Sequence, residues 1–334
     1  MCAKPVRKKG PSSIKKYDKE LLEHFYETMV KIRYFETNIE KKFLAGEIPG
    51  FVHLYIGEEA TGTGIMSNLT KNDYIETTHR GHGHTIAKGA DLKKMMAEIF
   101  GKKTGFCKGK GGSMHIADFS VGMLGANGIV GGGYTLATGA GLACKMLGRK
   151  DISVVFFGDG ASNRGTFHEA ANMASAWDLP VLFVCENNQW ASTTPYLTTT
   201  SVEDIADRAQ GYDMPGVIVD GNDVFAVYEA TKQLVEKMRN GEGPALLECK
   251  TYRIKGHFVG DPEKYRTKEE VQKVSDENDP IVRFEQRVLE EKVMDRKELD
   301  EIKDRVVKEV DEAIKFATES PEPDPSELYQ DLYV

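Results

Sequence analysis

The chain has 334 residues, 40% of them hydrophobic and 29% charged, and carries a net charge of −8. It is long enough to bury a sizeable core, and an acidic balance without a basic stripe in the body argues against nucleic acid as a partner. No apolar stretch reaches the ~20 residues that span a bilayer, no signal peptide is visible, and five cysteines without a CxxC predict a reducing, cytoplasmic setting with no disulfide framework.

Residues 4–16 are basic and contain Gly10, Pro11 and two serines, so 1–19 reads as a flexible, solvated arm. Residues 21–44 place Leu22, Phe25, Met29, Ile32, Phe35 and Phe43 on or near one face of a long helix. A second helix is expected over 57–69 and a short strand over 73–77. The stretch 79–133 is rich in glycine and histidine. It holds His79-Arg80-Gly81-His82-Gly83-His84, then KGKGGSMH at 108–115, then GANGIVGGG at 125–133. So many glycines predict backbone packed close to a ligand or to another chain. The small, apolar segment 134–147 predicts a helix buried nearly all round.

Residues 152–157 (ISVVFF) and 181–185 (VLFVC) are unbroken apolar runs, as expected of strands buried on both faces. Between them 166–177 is helical in composition, and Pro180 punctuates its end. Strand, helix, strand with short connections is a parallel crossover unit, and ligands of such sheets sit beyond the carboxyl ends of the strands. A polar cluster follows each run: Gly158-Asp159-Gly160 after the first, Asn187-Asn188 after the second. Asp159 offers one anionic oxygen, Asn188 a neutral one, and the backbone carbonyl of Trp190 a third. With two diphosphate oxygens and a water they complete the roughly six-oxygen shell of magnesium. Gly160 lets backbone approach a phosphate, and Ala161 and Ser162 would open the helix with free N–H groups. Each cluster alone is ordinary turn chemistry; the argument rests on both at consecutive strand tips. A nicotinamide fingerprint fits worse, because Asn163 stands where its third glycine belongs.

Further strands are expected at 217–219 and 245–251, with a helix at 224–238 between them. Gly256, Gly260 and Pro262 mark 254–267 as a mobile loop. Charged amphipathic helices follow over 281–317, and the acidic, proline-containing stretch 319–334 is expected to be extended. The body, 20–318, reads as one domain.

GDGASNRGTFHEAANMASAWDLPVLFVCENN resembles the thiamine-diphosphate motif. PGFVHLYIGEEA at 49–60, HRGHGHTIAKG at 79–89, GKGGSMHIAD at 109–118, GANGIVGGG at 125–133 and TYRIKGH at 251–257 agree with it in order. From about residue 20 onward the chain is similar to alpha subunits of the thiamine-dependent first component of 2-oxo acid and acetoin dehydrogenase complexes, the acetoin type most of all. The resemblance implies an α/β thiamine-diphosphate-binding fold, a mostly parallel sheet with helices on both faces. It also implies roles. Asp159, Asn188 and the Trp190 carbonyl would hold Mg2+. Gly160, Ala161, Arg80, Arg253 and His257 would surround the diphosphate of thiamine diphosphate. Backbone groups of Gly128 and Val130 would meet the aminopyrimidine, with the Val130 side chain under the bent cofactor, and His53 and His257 would line the reaction centre.

The reaction implied is cleavage of acetoin to acetaldehyde and a cofactor-bound hydroxyethyl unit, with acetyl transfer to the lipoyl group of an acyltransferase component. The alternative is oxidative decarboxylation of pyruvate or a branched-chain 2-oxo acid. Acetoin cleavage needs a base for the hydroxyl proton, and decarboxylation does not. Many 2-oxo acid members carry an aromatic residue before the arginine where this chain has His79, so His79, another histidine of that cluster or His53 is a candidate base. The glutamate that activates the cofactor comes from a beta subunit in the resembled family; no such glutamate is assignable here, although Glu58 and Glu59 lie in a matched motif. The chain is therefore expected to act in an α2β2 assembly. Phe258 stands where mitochondrial relatives carry a phosphorylatable serine.

Overall fold

The computed structural model describes residues 4–331. In chain order it forms β1 (Val6–Arg7), α1 (Lys19–Leu44), α2 (Glu59–Met66), β2 (Tyr74–Thr78), α3 (Gly81–Ala87), α4 (Leu92–Ile99) and β3 (Met123–Asn127). There follow α5 (Gly133–Met146), β4 (Ser153–Gly158), α6 (Gly165–Ala176), β5 (Val181–Asn187), and the two-stranded ribbon β6 (Trp190–Ala191) and β7 (Thr194–Pro195). The chain then adds β8 (Gly216–Asp220), α7 (Val224–Arg239), β9 (Ala245–Lys250), α8 (Lys268–Asn278), α9 (Pro280–Glu290) and α10 (Arg296–Glu319). Seven strands make one sheet in the order β1-β8-β9-β5-β4-β2-β3, and every pair in it is parallel.

The unbroken apolar runs of β4 and β5 follow from this position. Val154, Phe156, Leu182 and Val184 point to one face and pack with Ile65 of α2 and Ala226, Val227 and Ala230 of α7. Val155, Phe157, Val181 and Phe183 point to the other and meet Tyr134 and Ala137 of α5 and Phe167, Ala170 and Ala171 of α6. Helices thus cover both faces, and each large side chain removed from water contributes roughly 1.5–3 kcal/mol. A third apolar cluster lies among the helices themselves: Leu22, Phe25, Met29, Ile32 and Phe35 of α1 pack with α4, α9 and α10. Asp18 caps α1 through the Leu21 N–H (2.8 Å), and Asp295 with Glu298 closes a capping box on α10.

Several expectations change. Residues 4–16 do not stay a solvated arm: Val6–Arg7 pairs with Val217–Ile218 at the sheet edge, and Ile14 is fully buried. Within 79–133 the structure adds α3, α4 and β3; α3 and β3 carry no clear period in the sequence, whereas Leu92, Met95, Met96 and Ile99 of α4 repeat at helical spacing and form its buried face. Glycine is what lets α3 lie so close: a Cβ on Gly83 would sit 2.0 Å from the Tyr55 ring, and one on Gly81 2.7 Å from Ala126 Cβ. The α5 helix is not buried all round, since Leu136 and Met146 stand exposed on one side. The loop after β9 has no helix or strand before α8, but it is tied down: Arg266 donates to the carbonyls of Arg253, Ile254 and Lys255, and Asp261 accepts from the His257 N–H (2.7 Å). The acidic C-terminal segment lies on the lysine-rich glycine loop, with Lys108 and Lys110 bridging to Asp331. Among the described residues the four cysteines are free and no helix is long and apolar enough to cross a membrane; Cys2 lies outside the described residues.

Candidate active site

Because every pair of the main sheet is parallel, the carboxyl ends of β9, β5, β4, β2 and β3 lie side by side, and the segments that leave them converge. Together they enclose a cavity of about 410 Å³. Twelve of the residues singled out in the sequence line it: His53, His79, Arg80, Gly128, Val130, Asp159, Gly160, Ala161, Asn188, Trp190, Arg253 and His257.

At one end sits Asp159, the residue after β4. It is buried, and neither carboxylate oxygen has a hydrogen-bond partner. Burial raises its pKa to about 6, against the pull of the Arg253 guanidinium. Gly160 follows; a Cβ there would meet Ala191 Cβ at 2.5 Å, so the glycine is required by the ribbon packed on it and not only by any ligand. Residues Asp159–Asn163 form a 3-10 turn, and the α-helix begins only at Gly165. Ala161 and Ser162 therefore precede the helix and do not open it.

Asn187 belongs to β5 and spends its amide on Glu248 Oε1 (2.8 Å). Asn188 is the one at the cavity: its Nδ2 donates to Glu58 Oε1 (2.9 Å), and its Oδ1 accepts from the Trp190 N–H (3.4 Å). The Trp190 carbonyl accepts from Arg253 Nη1 at 3.3 Å, which leaves it one lone pair.

Two arginines complete this end. Arg253 is buried and donates to the Ser192 carbonyl (2.8 Å) and to Tyr265 Oη (2.7 Å); its Nε has no partner. Arg80 is buried and donates to the carbonyls of Leu54 (2.6 Å) and His257 (2.8 Å). Neither is hydrogen-bonded to a carboxylate. Burial, with Arg253 nearby, pulls the Arg80 pKa down to about 10.

The other end is made of imidazoles. His53, His79 and His257 come from three distant segments, yet their ring centroids lie 4.6, 5.1 and 5.4 Å apart pairwise. Burial and then Arg80 depress all three: His53 to about 3, His257 to about 4 and His79 well below its ordinary value. All are neutral at neutral pH. His53 Nδ1 has no partner, while His257 Nδ1 lies 3.4 Å from Arg80 Nη2. His82 and His84, which the sequence left as candidate bases, are elsewhere: His82 is held between Glu36 (3.0 Å) and Ser113 (2.9 Å), His84 between Glu186 (2.9 Å) and Thr77 (2.6 Å). Both are buried members of structural networks.

Gly128 and Val130 lie in the loop after β3, where Asn127 Oδ1 accepts from the Ile129 N–H (2.8 Å) and Thr166 Oγ1 donates to the Gly131 carbonyl (3.0 Å). Val130 is 51% and Ile129 71% exposed, and both line the cavity. An apolar patch at the rim of a cavity marks a surface that another molecule covers.

Sequence reading missed Glu58. Both glutamates of the 58–59 pair are buried, but they face different ways. Glu59 is bound by Arg33 in an ion pair that also takes in Asp279, whereas Glu58 turns into the cavity. Glu58, like Asp159, keeps an oxygen without a partner. An acid and two cations buried without opposite partners are costly by themselves. The donor set fits a divalent cation beside Asp159 and Asn188 and a polyanion beside Arg80 and Arg253.

A parallel sheet with such a pair of sites at its strand tips defines an α/β enzyme of the anion-binding kind. Residues 27–326 match the family described as the dehydrogenase E1 component, and the chain belongs to that family, whose members are thiamine-diphosphate-dependent enzymes. It is similar, at 53% identity over 309 residues, to the alpha subunit of acetoin:2,6-dichlorophenolindophenol oxidoreductase of Bacillus subtilis, covering 92% of each chain. Its counterpart in Cupriavidus necator is 50% identical, covering 95% of each. The pyruvate dehydrogenase E1 component subunit alpha of Rhizobium meliloti is 40% identical over 99% of this chain and 95% of its own.

Proposed function

We propose that this chain is the alpha subunit of a thiamine-diphosphate-dependent dehydrogenase that cleaves acetoin, acting with a beta subunit and passing the acetyl unit to a lipoyl-bearing acyltransferase in the cytoplasm. The observation that carries it is one cavity with an unpaired acid and two uncompensated arginines at one end and three neutral imidazoles at the other. Asp159, Asn188 and the Trp190 carbonyl would hold Mg2+. Arg80, Arg253, Gly160, Ala161 and His257 would take the diphosphate, and Gly128 and Val130 the ring beyond it. Bound thiamine diphosphate supplies a carbon nucleophile and an electron sink.

The chain's own groups do the rest. Arg80 and Arg253 hold the anion by charge and need no rearrangement, since their remaining hydrogen bonds already fix them to backbone. His53 or His79, uncharged and at the mouth of the reaction centre, accepts the hydroxyl proton of a secondary alcohol. A neutral imidazole suits an uncharged acyloin. The exposed apolar rim at Ile129 and Val130 suits a partner subunit that closes the cavity, in an α2β2 assembly.

The second reading is oxidative decarboxylation of pyruvate or a branched-chain 2-oxo acid; Arg80 and Arg253 near His257 favour it, because a guanidinium also binds a substrate carboxylate. The test is to assay acetoin and pyruvate side by side on the reconstituted αβ enzyme with an artificial electron acceptor. Acetoin is expected to be preferred by a factor of about 100 in kcat/KM, roughly 2.7 kcal/mol of discrimination. Equal or better use of pyruvate would replace the first reading with the second.

A further inference from the structure

The glutamate pair at the start of α2 divides its labour, and Glu58 has no task in the scheme above. Its backbone is fixed. Gly57 adopts φ +100°, where a side chain would run into Ile254 (2.8 Å), and its carbonyl accepts from Asn222 Nδ2 (3.3 Å). The Gly57 N–H donates to Glu59 Oε2 (2.9 Å), so the ion-paired Glu59 anchors the turn that aims Glu58 at the cavity. The Glu58 side chain is buried, with one oxygen on Asn188 Nδ2 and the other free.

A carboxamide presents an oxygen on one side and an NH2 on the other, and only the oxygen can ligate a cation. At Asn188 both ends are specified. Glu58 Oε1, an acceptor, takes the NH2 at 2.9 Å; the Trp190 N–H, a donor, takes the oxygen at 3.4 Å. Turning the amide over would set its oxygen against the Glu58 oxygen that now accepts and its NH2 against an N–H. Glu58 makes the stronger of the two contacts, and it belongs to a different element from Asn188.

We propose that Glu58 is a positioning residue for the metal end of the cavity: it engages the amino group of Asn188 so that the carboxamide oxygen is the end left for a divalent cation. This rests on the reading that Asp159 and Asn188 hold that cation, and the experiment separates the two. Mn2+ binding to the αβ enzyme with thiamine diphosphate is followed by the paramagnetic signal of free Mn2+, which reports the metal and not turnover. The variants are Glu58→Met, close in length but without an acceptor, and Glu58→Gln, whose amide oxygen still accepts from Asn188. Outer partners of metal ligands are worth roughly 10–100-fold in metal affinity. Glu58→Met is expected to weaken Mn2+ binding by about that factor, and Glu58→Gln to stay within about threefold of the native enzyme. Native-like Mn2+ affinity in Glu58→Met overturns the proposal, as does a loss in Glu58→Gln equal to that in Glu58→Met, which would make the charge and not the acceptor decisive. Should Glu58→Met not fold, Glu58→Ala, which also lacks an acceptor, takes its place with the same expected and overturning results. Undiminished Mn2+ binding in Asp159→Asn overturns the underlying reading itself, whatever the Glu58 variants do.

Discussion

At the Asp159 end of the cavity the chain leaves charges without partners, whereas at the histidine end burial and a neighbouring arginine strip the charge away. The first suits a cation and a polyanion held side by side. The second is a site for an uncharged group that must give up a proton. One enclosure holds both because parallel strands deliver their carboxyl ends to the same edge. The contrast teaches that polarity alone does not describe an active site. What matters is which charges the fold has refused to neutralise.

The comparison breaks most visibly at Asp159. Asp159→Asn is expected to abolish thiamine diphosphate retention and lower turnover by more than about 100-fold, beyond what losing an outer partner of a ligand costs. The same change should stabilise the cofactor-free chain by about 1 kcal/mol, since a buried carboxylate without hydrogen bonds is removed. Thermal unfolding with and without cofactor reads both effects, and an apo protein destabilised by the change would mean that Asp159 is structural.

The histidine end is sharpened by His53→Asn and His79→Asn made singly. The residue that takes the hydroxyl proton should lose roughly 10²–10⁴-fold in acetoin turnover while cofactor affinity holds. Undiminished turnover in both removes them from the mechanism.

Acid stability separates the ends further. His53 has a folded pKa of about 3 against an ordinary 6.5, so on acidification the unfolded chain binds the proton first. Its contribution to stability is complete above pH 6.5 and falls as the pH drops toward 3, by at most about 1.4 kcal/mol per unit. His53→Phe should flatten that slope in urea titrations. Glu76, on β2, runs the other way: burial lifts its pKa to about 8, so its contribution is lost as pH rises from 4.5 toward 8. Glu76→Gln should raise stability at pH 8 and leave it near native at pH 4.5.

The smallest effect is expected at Val130. Val130→Ala should lower kcat by about tenfold or less through looser placement of the reacting groups, with KM for acetoin little changed.

The Asp159 end was readable because its two clusters follow consecutive apolar runs, and β4 and β5 lie where those runs fall. The histidine end was less so. His53, His79 and His257 are scattered along the chain, and only the converging loops bring them within about 5 Å. Neighbouring His82 and His84 carry the same letters in one motif, and only their partners Glu36 and Glu186 mark them as structural. Glu58 was illegible for a similar reason. Two acids at a helix start look like ordinary first-turn residues, and tertiary contacts alone separate the one that holds Arg33 from the one that holds Asn188. Helix α3 and strand β3 hid in a glycine-rich stretch whose spacing answers to Tyr55 and Ala126, not to a periodic face, whereas the 3.6-residue repeat of Leu92, Met95, Met96 and Ile99 in α4 was there to be read. Strand β1 is only two residues long and has no pattern to read.

The most direct test of the account is calorimetric titration of the αβ assembly with thiamine diphosphate, run with Mg2+, without Mg2+, and with Asp159→Asn. Saturable binding that needs both the metal and the Asp159 carboxylate is the predicted result. Binding of equal strength in all three would contradict it.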